Sequence, residues 1–379
     1  MKRWLIRALL LGVVLGLLGL LVAASGVIPL KASAGHWAIT EWLLQFSKRR
    51  SVDTHSLGTA VPELNDPALI LKGAGHFEFG CRPCHGAPGE PVPRIALGML
   101  PPPPPLGPPS EQYDPDELFN IVKHGLKFTG MPAWPAQQRD DEVWAVVAFL
   151  RSLRGLDAAG YRRLVHGDSE EATPLEGIAQ METARHIPGA VERSCARCHG
   201  VDGRGRGSDA FPRLAGQRRE YLEGALTAYA RGERHSGIME PLSAGLTPQA
   251  IRELAEYYAA LELAPPTAKA AVDPALVDEG RRIAHDGIPS QRVPACVACH
   301  DAGGRRARPE YPLLTGQPAP YLELQLELFS QGKRGGSPYG HIMHDVATRL
   351  KPEQRRAAAA YFSARPADET DATPATPQP

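Results

Sequence analysis

Cys195-Ala196-Arg197-Cys198-His199 is one of three copies of a single pattern in this chain, the others being Cys81-Arg82-Pro83-Cys84-His85 and Cys296-Val297-Ala298-Cys299-His300. C-x-x-C-H is the attachment site of a c-type haem. Two thiols three positions apart can both form thioether bonds to the vinyl groups of one porphyrin. The adjacent His then lies under the ring, where its imidazole takes one axial position on the iron. All six cysteines of the chain fall in these motifs. A structural zinc site needs two such pairs close together, and here about a hundred residues separate them. A thioredoxin-like redox pair would not need the following His three times over. The expected cofactor is therefore three covalently bound haem c, held by Cys81 and Cys84, Cys195 and Cys198, and Cys296 and Cys299.

His85, His199 and His300 supply one axial ligand each, and the ligand on the opposite face decides much of the function. An axial Met raises the potential and leaves no site for a substrate. Of the six methionines, Met131, Met239 and Met343 each lie about forty residues after their histidine and just ahead of a closing helix. A lone Met is normally a core filler, but one per motif at a matching place points to ligation. His341 and His344 flank Met343 and compete with it; His235 and His124 are weaker rivals for the other two. Met1 is the start residue, Met99 lies in a proline loop and Met181 precedes its own cysteines. The proximal imidazoles also need an acceptor for their other nitrogen. The backbone carbonyls of Pro93, Pro212 and Pro312 are the expected ones.

Around the motifs the chain reads as helical. Residues 66–154 contain helical patterns over Pro67–Phe77, Asp116–His124 and Asp140–Leu153, interrupted by the proline run Pro101 to Pro105. Such a run can neither continue a helix nor pair as a central strand. Residues 155–173 show no strong periodicity and read as a linker. A second unit, 174–263, ends in a helix begun by Thr247-Pro248, a Thr cap with Pro at the first helical position. Residues 264–272 form a Pro- and Ala-rich linker, and a third unit covers 273–364. Pro312, Leu314, Gly316, Gln317, Tyr321, Leu322, Gly332 and Arg334 each stand one hundred positions after the same residue type in the second unit. That is an internal duplication. The tail, 365–379, has the composition of a disordered segment.

At the other end, the chain runs uncharged and mostly apolar from Ala8 to Leu30, after Lys2, Arg3 and Arg7. A spanning helix needs about 20 such residues, and a secretory signal about 7–15. The length favours a retained anchor over residues 1–30, oriented with the basic end inside; a long signal peptide cut near Ala23-Ala24-Ser25 is the competing reading. Residues 31–65 are juxtamembrane, with Trp37, Trp42 and Phe46 suited to the headgroup layer or to a plain globular helix. Lys plus Arg equals Asp plus Glu at 42 each, so nothing suggests a nucleic-acid partner.

Together, the motif, the helix order and the downstream Met resemble class I cytochromes c. The second and third units resemble the halves of tandem dihaem cytochromes through their Pro-x-Leu-x-Gly-Gln and Tyr-Leu segments. The first unit resembles a more distant single-haem relative through Gly130-Met131-Pro132 and its closing helix. The resemblance implies an all-α fold of three class I cytochrome c-like domains; the transmembrane helix read ahead of them from the apolar run departs from the soluble dihaem pattern. It also implies haem attachment and electron transfer on the periplasmic side of a bacterial inner membrane, between redox-protein partners. The leading expectation is delivery toward a terminal oxidase. The alternative is a subunit accepting electrons from a periplasmic, quinoprotein-type dehydrogenase. A haem peroxidase is a third reading, and would need a haem without Met. No catalytic residues are expected.

Overall fold

The computed structural model describes residues 2–28, 31, 35–107, 110, 112–167, 189, 191–263, 273–301, 303, 304 and 306–365, and the regular elements among them are all helical. The start of the second unit with Met181 and His186, the Pro- and Ala-rich linker, and the tail beyond Arg365 lie outside the described residues.

α1 (Lys2–Ala24) is an exposed apolar helix of 23 residues. At 1.5 Å per residue it is about 34 Å long, enough for a hydrocarbon core of about 30 Å. α2 (Ala38–His55) leaves Trp42 and Phe46 exposed and stacked at 5.6 Å, and buries Val52. Its last carbonyl, that of His55, accepts from Asn120 Nδ2 at 3.3 Å.

The first segment is built on α3 (Pro67–Gly80), α4 (Arg82–His85), α5 (Pro115–His124), α6 (Asp140–Ser152) and α7 (Ala158–His166). Local chemistry sets these boundaries. Asp66 accepts from Ala68 N ahead of Pro67, and Asp114 with Glu117 forms a capping box ahead of Pro115. Phe77, Val143, Val147, Phe149 and Tyr161 make the core. α3 and α6 cross at Gly73, where a Cβ would overlap the Ala145 carbonyl oxygen. α7 lies where no helix is expected from sequence. Asp157 caps it by accepting from Gly160 N, and Tyr161 and Val165, four apart, turn one face into the core.

The second segment has α8 (Ala196–His199), α9 (Arg219–Ala230), α10 (Met239–Ser243) and α11 (Pro248–Ala259). Thr247 caps α11, as its sequence implies, by accepting from Ala250 N at 3.2 Å. The third has α12 (Pro274–Asp286), α13 (Val297–His300), α14 (Ala319–Ser330), α15 (Gly340–Arg349) and α16 (Pro352–Ala364). α12 and α16 repeat the crossing of α3 and α6: a Cβ on Gly280 would overlap the Ala357 carbonyl oxygen.

The duplication is visible as a reciprocal joint. Gln217 Nε2 donates to Leu313 O at 2.9 Å, and its Oε1 accepts from Leu313 N at 2.8 Å. Gln317, one hundred positions on, makes the same pair with Arg213, at 2.8 and 3.1 Å. Gly216 N and Gly316 N likewise donate to Tyr258 O and Phe362 O, tying each loop to its closing helix.

Candidate haem centres

Each C-x-x-C-H motif is a single helical turn whose first Cys is the residue ahead of the turn: Cys81 before α4, Cys195 before α8 and Cys296 before α13. The turn brings the second Cys and the His onto the end of the same short helix. Burial pushes the thiols of Cys195, Cys198 and Cys296 up to about 11, and that of Cys81 up to about 12. Reactive redox cysteines and thiolate metal ligands need the opposite shift.

The three histidines are held alike. Nδ1 of His85 lies 2.8 Å from Pro104 O, Nδ1 of His199 lies 3.0 Å from Pro212 O, and Nδ1 of His300 lies 2.9 Å from Pro312 O. A carbonyl oxygen only accepts, so Nδ1 carries the proton. Burial pulls all three imidazoles below their ordinary range, and the hydrogen bond only partly offsets it. A neutral ring protonated on Nδ1 has its lone pair on Nε2. That is the form a haem iron requires. Pro212 and Pro312 are the expected acceptors, whereas Pro93 is not. Its carbonyl caps the turn Ala96–Gly98 by accepting from Ala96 N at 3.0 Å and Leu97 N at 3.1 Å. The acceptor comes from further on, in the extended proline run.

The methionines are placed in three different ways. Met131 sits in a loop where Thr129 Oγ1 accepts from Met131 N at 3.1 Å and Met131 O accepts from Leu126 N at 3.2 Å. Met239 opens α10, its N–H donating to Ser236 Oγ at 3.1 Å. Met343 is half-buried inside α15 between exposed His341 and His344. Nδ1 of His344 is engaged with Phe329 O at 2.7 Å. Met99 proves to be part of the first site's surroundings: a Cβ on Gly130 would lie 2.7 Å from its sulfur, one residue from Met131. Its place in an irregular loop gave no periodic signal.

A second observation bears on fit to the porphyrin. Arg234, buried, and Arg334, half-buried, are equivalent in the repeat and lie near each other at the joint between second and third segments. Both reach Gln325 Oε1, at 3.4 and 2.8 Å. Among the described residues no carboxylate pairs with either. Burial pushes the Tyr221 phenol up, but these guanidiniums more than offset it and bring it down to about 8. A buried cation beside a half-buried one, with no anion, is costly. The propionates of c-type haems are anions of the right charge, so the donor set fits the group. The 100-residue offset marked Arg234, Arg334, Tyr221 and Tyr321 as equivalents without showing that they meet.

A family model described as Cytochrome C oxidase, cbb3-type, subunit III matches residues 68–150. Another, described as Cytochrome c, matches residues 189–262 and again residues 277–364. The thiosulfate dehydrogenase electron acceptor of Thiomonas intermedia is 36% identical over 179 residues, 47% of this chain and 81% of that protein. Cytochrome c4 of Pseudomonas aeruginosa is 32% identical over 189 residues, 50% of this chain and 92% of that protein. Among solved structures, that of a thiosulfate dehydrogenase from Marichromatium purpuratum is 39% identical, with a TM-score of 0.41, over 46% of this chain and 36% of that one.

Proposed function

The chain belongs to the cytochrome c family, and we propose that this electron-transfer cytochrome is a membrane-anchored trihaem carrier made of three class I cytochrome c-like domains. α1 holds it in the bacterial inner membrane, with the haem domains in the periplasm. It takes electrons from a periplasmic dehydrogenase and passes them toward a terminal oxidase. The observation that carries this reading is the threefold His–proline carbonyl bond, which leaves Nε2 of His85, His199 and His300 as the basic nitrogen.

Haem c supplies a one-electron couple that shuttles between ferric and ferrous without bond rearrangement. The chain's own residues do the rest. Cys81, Cys84, Cys195, Cys198, Cys296 and Cys299 fix the group covalently. The His residues and Met131, Met239 and Met343 would hold the iron, and thioether sulfur would favour its ferrous state. With both positions filled, a peroxidase has nowhere to bind its substrate.

Two relatives named as thiosulfate dehydrogenase electron acceptors, in Thiomonas intermedia and Stutzerimonas stutzeri, support a dehydrogenase as donor. The acceptor side is supported by the first segment, which matches the model named for an oxidase subunit. There Ile95, Leu97 and Phe128 are exposed on the two loops that meet at Met99 and Gly130. An exposed apolar rim of this kind suits a transient protein partner.

The test has two parts. Mass spectrometry of the denatured chain is expected to show three haem increments; fewer would remove the trihaem reading. In stopped-flow mixing, a thiosulfate dehydrogenase with its substrate is expected to reduce the protein faster than a quinoprotein alcohol dehydrogenase does. The reverse order would transfer the donor role to the quinoprotein class.

A further inference from the structure

Glu142 is a carboxylate 2% exposed, in the first turn of α6, and its partners are not confined to its own segment. Its Oε1 accepts from Ser236 Oγ at 2.7 Å, and its Oε2 accepts from Gly237 N at 2.6 Å and from Trp134 Nε1 at 3.1 Å. Arg139 Nη1, 3.1 Å from Oε1, donates at 2.8 Å to the carbonyl of His235. Three successive residues of the second segment are thus gripped by an acid and a base of the first. The Trp134 ring packs so closely on Gly237 that a Cβ there would overlap it.

The gripped residues lead directly to Met239. Ser236 Oγ, which donates to Glu142, accepts from Met239 N at 3.1 Å and from Ile238 N at 3.3 Å. Glu240 adds a local brace, its Oε1 accepting from Ser236 N at 2.7 Å. Two hydrogen bonds therefore separate Glu142 from the backbone of the methionine. The first site differs, since Met131 N is held by Thr129 of its own loop. Met343 is held inside the ten-residue helix α15.

We propose that Glu142 is a positioning residue for Met239, so that the first segment sets the axial ligation of the haem carried by the second. This rests on Met239 being that haem's sixth ligand. Without the carboxylate, the Gly237 amide, the Trp134 indole and the Ser236 hydroxyl lose a buried acceptor, and the loop gains by swinging to water. Leaving buried donors unpaired costs enough to shift a local equilibrium about tenfold or more.

The experiment uses the full-length holoprotein and reads the sulfur-to-iron charge-transfer band of ferric haem and carbon monoxide uptake by ferrous haem. Met239→Ala is made first. Its difference spectrum marks the second haem, and no loss of band there would overturn the ligand reading itself. Given that loss, Glu142→Ala is expected to raise the carbon monoxide-accessible fraction of the second haem about tenfold. The bands of the other two should be retained. Glu142→Gln keeps the shape and can still accept from Gly237 N, so it should restore most of the closure. An unchanged second haem in a folded Glu142→Ala protein overturns the proposal. Should Glu142→Ala also open the first haem, Ser236→Ala, made from the other side of the contact, decides. Opening of the second haem alone supports positioning, and an unchanged one overturns it.

Discussion

The imidazole of His76 is buried in the first segment, edge-on to Trp134 at 5.6 Å, and among the described residues its Nε2 has no hydrogen-bond partner. Burial, with Lys72 and Arg139 nearby, pulls its pKa down to about 3. A free His takes up a proton near 6.5, so below that pH the unfolded chain is protonated at this residue and the folded one is not. The stabilisation from a neutral His76 is complete above about 6.5 and is lost as pH falls toward 3. By pH 4 the loss is on the order of 3 kcal/mol. Asp141 acts with the same sign but at lower pH, once the pH falls below the ordinary carboxylate value of about 4. Burial pushes its carboxyl up, but Arg139, at 2.8 and 2.9 Å, and Lys72, at 3.2 Å, hold it well below the usual range. His76→Phe gives up no hydrogen bond at Nε2, so urea midpoints measured between pH 7 and pH 4 are expected to fall less steeply in the variant. Parallel slopes for variant and wild type would show that His76 is charged in the fold.

Helix crossings were harder to read than helices. The starts of α3, α5, α11 and α12 are written in the chain as Asp66-Pro67, Asp114-Pro115, Thr247-Pro248 and Asp273-Pro274, each a capping oxygen followed by a residue with no N–H to lose. Gly73 and Gly280 carry no such local mark, because what demands glycine there is a carbonyl far along the chain, that of Ala145 or Ala357. Replacing Gly280 by Val is expected to cost about 2 kcal/mol and lower the third segment's melting temperature by roughly 10 °C. The Ala357 carbonyl is backbone within α16 and cannot turn aside as a side chain would. Calorimetry of the holoprotein checks this, and an unchanged transition would mean that the two helices are not packed at van der Waals distance. α7 escaped for the reverse reason: its apolar face is short, Tyr161, Leu164 and Val165 among arginines, and only the waiting core of α3 and α6 makes it pay to form. Pro104 escaped because prolines look alike in sequence, while local turns engage the Pro93 carbonyl and leave that of Pro104 to His85.

At the scale of the molecule, the segments are joined in series. The first meets the second through Glu142, Arg139 and Trp134, and through α3, where a Cβ on Gly75 would lie 3.4 Å from Cys198 Sγ. The second meets the third through the Gln217 and Gln317 pairs and through Arg234 and Arg334 at Gln325. Among the described residues no hydrogen bond or ion pair joins the first segment to the third. The sequence shows the duplicated halves, since equal spacing survives in the text; it does not show that the halves face each other, nor that the first segment abuts the second haem's attachment turn. On the trihaem reading proposed above, this serial joining would make electrons that enter at one end pass the second haem to reach the other. If Met239 is the sixth ligand, as proposed, Met239→Ala would remove a ligand that favours ferrous iron, lower that haem's potential and make the middle transfer an uphill step. Each 1.4 kcal/mol added to the step slows it about tenfold. In stopped-flow reduction by a protein donor, wild type is expected to reduce all three haems in one phase. The variant is expected to show one haem equivalent reduced at the wild-type rate and another at least tenfold slower, whichever end receives the electron. If both outer haems of the variant fill at the wild-type rate, each has its own contact with the donor and the series is not the route.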